Sequence, residues 1–141
     1  RALSLNPNDP RLVAQKGELL TWLGRAHEGV QWINMAIRLD PYSLSHWAHL
    51  LGAALMLSDR YEAAAEAYLQ SARPRFSQHA DIAGCYGKLG MADEAARHAA
   101  LALELKPDFT ISEYVADLAY RHDRERAQHR DILRAAPLPP E

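Results

Sequence analysis

Cysteine is almost missing from this sequence: Cys85 is the only one in 141 residues. No disulfide can form within the chain, and a reducing, cytoplasmic setting is the expectation. Long hydrophobic runs are missing too. The longest apolar-rich segment, residues 50–57, falls far short of the ~20 residues needed to span a bilayer, and no targeting peptide is visible. There is no cluster of basic residues either. With 16 lysines and arginines against 18 acids, the net charge is −2, a poor match to a phosphate backbone, so this segment is not expected to bind nucleic acid. Phosphate-binding loops, nucleophile elbows and metal-protease helices are absent as motifs, and the segment is not expected to be an enzyme or to hold a cofactor.

What the chain has in abundance is alanine and leucine. Hydrophobic residues make up 48% of it, with only seven glycines and eight prolines, a balance that fits a packed helical protein and not a disordered one. A period is also visible. Leu5-Asn6-Pro7 returns after 34 residues as Leu39-Asp40-Pro41, and Leu105-Lys106-Pro107 closes a third segment in the same way. Proline ends each helix because it lacks an N–H and turns the preceding residue away from helical geometry. Within each unit two helices are separated by a short turn: Leu23-Gly24-Arg25, Ser58-Asp59-Arg60 and Leu89-Gly90-Met91. Small residues recur where paired helices must touch: Gly17, Gly29 and Ala36, then Gly52 and Ala64, then Ala83, Ala95 and Ala102. A larger side chain there would hold the helices apart. Asp9 before Pro10, and Thr110 three residues before Glu113, have the form of helix N-caps.

The register of these residues resembles the tetratricopeptide (TPR) repeat. The first unit matches with Val13, Gly17, Leu20, Gly24, Gly29, Ile33, Ala36 and Pro41, and departs at Lys16, where an apolar residue is usual. The third matches with Ile82, Ala83, Tyr86, Gly90, Ala95, Ala102 and Pro107, and carries His79 and Ala99 in place of large apolar residues. The second matches through Leu51, Gly52, Leu55, Arg60-Tyr61-Glu62, Ala64 and Tyr68, but Pro74 cuts its second helix short. The resemblance implies an all-α fold, a right-handed superhelix of helix-turn-helix repeats in which neighbours complete one another's core. The expected divisions are 1–9 as the close of a preceding TPR helix, 10–44, 45–75 (shortened) and 76–109 as repeats, 110–136 as a degenerate capping pair and 137–141 as a tail. Because residue 1 is arginine, the chain reads as a piece of a longer protein, and Leu3 and Leu5 with Leu12 and Leu19 are expected to give weak self-association through the N-terminal end.

Several candidate sites have simpler explanations. His46 and His49 lie one helical turn apart, but zinc wants three or four ligands, and they read as groove residues. Cys85 falls on an inward face and reads as a small hydrophobe. Glu62 and Glu66, or Asp93 and Glu94, sit near helix starts on solvated faces. Trp32 and Trp47 read as packing residues, whereas Trp22 reads equally as a ligand anchor or as packing between repeats.

By the same resemblance, the first helix of each unit lines a concave groove that binds a protein partner. The groove residues are then Arg11, Gln15, Glu18 and Trp22 from the first unit, His46, His49, Leu50, Ala53 and Met56 from the second, and Asp81, Gly84 and Lys88 from the third. Ala14, Glu18, Leu50, Ser77 and Asp81 stand where some TPR domains carry a basic clamp for a chaperone's terminal carboxylate, so that role is disfavoured. The ending through Leu133-Arg134-Ala135-Ala136-Pro137-Leu138-Pro139 is similar to the ends of bacterial TPR regions attached to class III adenylate cyclases or winged-helix regulators. The expected function is therefore a peptide- or helix-binding module of a larger bacterial signalling protein. The alternative is a small-molecule sensory domain controlling an attached cyclase or DNA-binding domain.

Overall fold

The computed structural model describes residues 9–141. The expected helix close at 2–7, and with it Leu3 and Leu5, lies outside them. Eight α-helices and no strand occur among the described residues: α1 (Pro10–Trp22), α2 (Ala26–Leu39), α3 (Leu44–Leu57), α4 (Tyr61–Leu69), α5 (Phe76–Lys88), α6 (Ala92–Leu105), α7 (Ile111–Ala116) and α8 (Asp123–Leu133). The helices α1 and α2, α3 and α4, and α5 and α6 pack as pairs, and α2 on α3 and α4 on α5 join the pairs into a stack. This is the expected all-α solenoid of helix-turn-helix units.

The local signals act as their chemistry requires. The Asp9 carboxylate accepts from the Arg11 N–H at 3.0 Å ahead of Pro10, and the Thr110 hydroxyl accepts from the Glu113 N–H at 3.1 Å. Gly24 and Gly90 take φ of +85° and +75° in the turns of the outer pairs, the left-handed region that costs glycine nothing. In the middle pair Asp59 holds that conformation at φ +61°, its carboxylate accepting from Tyr61 Oη at 2.9 Å and Gln128 Nε2 at 3.2 Å. The helix α4 has nine residues where α2 and α6 have 14 each, because the chain leaves it before Pro74.

The small residues mark the closest crossings. A Cβ on Gly17 would lie 2.5 Å from Ile33 Cγ1 and 2.9 Å from the Gly29 carbonyl, and one on Gly52 would lie 2.7 Å from the Tyr68 ring. Ala36, Ala64, Ala83 and Ala102 are fully buried. The core runs along the stack through Ile33, Met56, Tyr68 and Ile82 to Ile132; removing each such large side chain from water contributes about 1.5–3 kcal/mol. Cys85 lies in this core, and burial raises its thiol pKa far above the usual range. Lys16 places Nζ 4.8 Å from the Trp32 ring centroid, a cation–π contact that accounts for a base at a position where an apolar residue is usual.

The C-terminal unit positions the site. The helix α8 lies against α5 and touches α3, on the inner side of the stack. Two glycines make room for it: a Cβ on Gly84 would meet the Ile132 carbonyl at 2.9 Å, and one on Gly87 would overlap the Ala135 carbonyl. Leu133, Ala136 and Leu138 join Phe109, Ile111 and Val115 in a second core cluster. The Pro139 and Pro140 carbonyls accept from the first N–H groups of α7, Ile111 at 2.9 Å and Ser112 at 3.0 Å, so the segment after 137 is packed.

Candidate functional site

The inner helices α1, α3 and α5 lie side by side, and the C-terminal unit closes one side of the trough they form. Between them is a cavity of about 120 Å³. Glu18 and Trp22 of α1, His49, Leu50 and Ala53 of α3, and Asp81 of α5 line it, as do Thr21, Tyr68, Arg75, Ser77, Gln78, Tyr114, Leu118, Tyr120 and His129.

A buried polar network forms its floor. Asp81 is 4% exposed and His129 3%. The Asp81 carboxylate accepts from Tyr68 Oη at 2.9 Å, from Tyr114 Oη at 3.1 and 3.2 Å, and from His129 Nε2 at 2.8 Å. Burial first, and then the Asp81 charge, pushes the Tyr68 and Tyr114 hydroxyls well above their ordinary pKa, so both stay protonated and donate. A proton on His129 Nε2 points at Asp81 and leaves Nδ1 to accept from Tyr120 Oη, 2.8 Å away. Tyr120 meets Trp22 edge to face with centroids 4.9 Å apart, and the Trp22 carbonyl accepts from the Arg121 N–H at 2.9 Å. Trp22 is therefore both a pocket wall and the seat of the C-terminal unit.

A buried carboxylate is tolerated only when its acceptor sites are filled. Here three donors fill them, from α4, the 111–116 helix and α8. The network ties these elements to α5 and leaves neither Asp81 nor His129 free to act as a base. At the rim, burial lowers the pKa of His49, with Glu18 acting in the opposite sense and Arg75 in the same one; the ring is neutral and both charges lie within its reach.

Six expected groove residues thus converge: Glu18, Trp22, His49, Leu50, Ala53 and Asp81. The structure places the other six elsewhere. Met56 is fully buried in the core, because α3 is flanked by helices on several sides and is apolar almost all round. Gly84 lies beneath Ile132, and Lys88 pairs with Asp131 of α8 at 2.7 Å, so α8 fills that part of the groove. Arg11 is exposed and paired with Asp9, and Gln15 and His46 are exposed away from the cavity. No group of three metal-ligating side chains converges among the described residues. Sequence reasoning missed Tyr68, Arg75, Gln78, Tyr114, Leu118, Tyr120 and His129. The available signal was Gly84 and Gly87 on the inner face of α5, two missing side chains where another helix sits.

Stacked helix pairs with an inner layer facing a trough define a TPR-like helical solenoid. No protein-family model matches the chain. It is similar to tetratricopeptide repeat protein 13 of Homo sapiens, 32% identical over 126 residues, a match that covers 86% of this chain and 14% of that protein. Its fold is similar to the crystal structure of MamA, with a TM-score of 0.69 at 20% identity over 95% of this chain and 80% of that one. A second crystal structure, of MamA protein, gives 0.68 at 20% identity over 94% and 74%. No helix among the described residues is long and apolar enough to cross a membrane.

Proposed function

We propose that this segment is a protein-interaction module that takes a peptide on the inner face of α1 and α3 and anchors it in the cavity bounded by the C-terminal unit. The observation that carries this reading is the partly exposed apolar wall of Trp22, Leu50 and Ala53 above a saturated polar floor. Apolar walls with a few fixed polar groups are what a binding pocket needs. Cys85 is buried in the core, and the Asp81 carboxylate and His129 ring are engaged with each other and with tyrosine hydroxyls, an arrangement that suits binding. The ending through Leu133-Arg134 and Pro137-Leu138-Pro139 supports a place in a larger bacterial signalling or regulatory protein of the cytoplasm.

Alanine at Trp22, His49 or Leu50 should each weaken capture of a partner recovered with the wild-type chain by about tenfold, since binding energy concentrates in a few anchors, while the helical circular dichroism spectrum stays unchanged. Undiminished capture by all three variants would move the interface off the inner face.

A further inference from the structure

The pocket has a definite size and a definite charge pattern. Sites for drug-sized ligands enclose roughly 300–1,000 Å³, whereas this one holds about 120 Å³, room for a single large apolar side chain. Its floor offers no free charge, because Tyr68, Tyr114 and His129 already occupy the Asp81 carboxylate. The rim differs. Glu18 on α1 and Arg75 just before α5 both line the cavity, and neither enters an ion pair among the described residues. The neutral His49 ring, on the helix between them, feels both charges. One acid and one base thus flank the mouth of an apolar socket.

We propose that the pocket selects an extended peptide by a three-part motif: one large apolar side chain in the socket, a basic residue on one side of it paired with Glu18, and an acidic residue on the other paired with Arg75. This rests on the protein-binding reading above and makes it specific. Rim charges set specificity and register more than they set affinity, because a like charge placed opposite them is strongly disfavoured.

The test is selection from a random displayed peptide library on the whole 141-residue chain, in parallel with Glu18→Lys and Arg75→Glu. Both substitutions lie at the rim, and thermal melts monitored by circular dichroism check that each variant folds as the wild type does. The wild type should enrich peptides with a large apolar residue between a base and an acid. Glu18→Lys should enrich acids on both sides and Arg75→Glu bases on both sides, each binding the original peptide about tenfold more weakly. Enriched peptides that lack the charge pair, or that bind all three proteins equally, overturn the motif while leaving the groove in place. No enrichment over a Trp22→Ala, Leu50→Ala control overturns the peptide reading with it.

Discussion

His98 should make the stability of this solenoid fall in mild acid. Its ring is 2% exposed, its Nδ1 faces His79 Nδ1 at 3.2 Å, and it stacks between His79 and Tyr86 of α5. From its own helix, Arg97 reaches Nε2 at 3.4 Å, and Glu94 pairs with that arginine. Two Nδ1 atoms can share one proton but not two, so the pair is stable with both rings neutral. Burial first, then the Arg97 and His79 charges, lowers the His98 pKa from 6.5 to about 4. A histidine whose folded pKa is depressed binds fewer protons folded than unfolded. Its contribution is therefore complete above the unfolded value near 6.5 and is lost as pH falls toward 4. Lowering pH from about 7.5 to about 5 would remove about 2 kcal/mol if the whole shift counted. Solvent screening of the Arg97 charge, whose side chain is 59% exposed, reduces this to about 1 kcal/mol. Urea unfolding of the wild type and of His98→Leu across that range isolates the term, because every other titrating group is common to both. The wild-type free energy should fall by about 1 kcal/mol more than that of the variant. Parallel curves would mean that His98 carries none of the acid sensitivity.

The small-residue register predicts that Ala95→Leu, at a 2% exposed position between α5 and α6, destabilises by about 1–3 kcal/mol, whereas Gln70→Leu on the exposed surface does little; equal melting shifts would break the register. Gly24→Ala and Gly90→Ala both force alanine into positive φ, at about 1–2 kcal/mol. Only at Gly24 does the new Cβ also press the buried Glu125 carboxylate, 3.0 Å away, against open space at Gly90. Gly24→Ala should therefore cost about 1 kcal/mol more, and equal losses would mean that α8 does not bear on the first turn.

How much of this could be read from the sequence depends on the range of the interaction concerned. Turns and caps are set by residues a few positions apart, as in Gly24 closing α1 and Asp9 capping it, and crossings by residues within one helix pair, as in Gly17 against Ile33. A 34-residue period then repeats the solution, and the all-α solenoid was legible. The site depends on separations of 33 and 48 residues, from Asp81 to Tyr114 and from Asp81 to His129. Repeat register describes an open groove and carries no information about a helix outside the repeats that lies in it. Hence Glu18, Trp22, His49, Leu50, Ala53 and Asp81, read from the register, line the cavity, whereas Gly84 and Lys88 were placed on a surface that α8 covers. Met56 failed for a different reason: periodicity cannot tell an inward face from a groove face on a helix that is apolar nearly all round.

The joint that makes the site is Asp81, and its energetics can be separated from its burial. Asp81→Leu leaves Tyr68, Tyr114 and His129 with three buried donors aimed at an apolar group, and should cost at least about 3 kcal/mol, since each stranded donor costs about 1–3 kcal/mol. Asp81→Asn keeps the shape but sets an amide N–H₂ against groups that all need an acceptor, and should recover only part of that loss. Tyr114→Phe removes one donor of three and should cost about 1 kcal/mol. His129→Leu leaves the carboxylate with two donors and a deficit of its own. If the network acts as a unit, Asp81→Leu combined with His129→Leu should cost less than the sum of the two single changes by about 1–3 kcal/mol, because the second substitution removes a donor that the first had stranded. The three chains, with the wild type, form one cycle that urea unfolding can close. Strict additivity would mean that Asp81 and His129 are neighbours without a shared role, and that packing at Gly84 and Gly87 alone holds α8 over the inner helices. A large coupling would mean that the acid chosen for the pocket floor is also what fixes the pocket's walls, so loosening it should weaken peptide capture even where Trp22, Leu50 and the rim charges are intact.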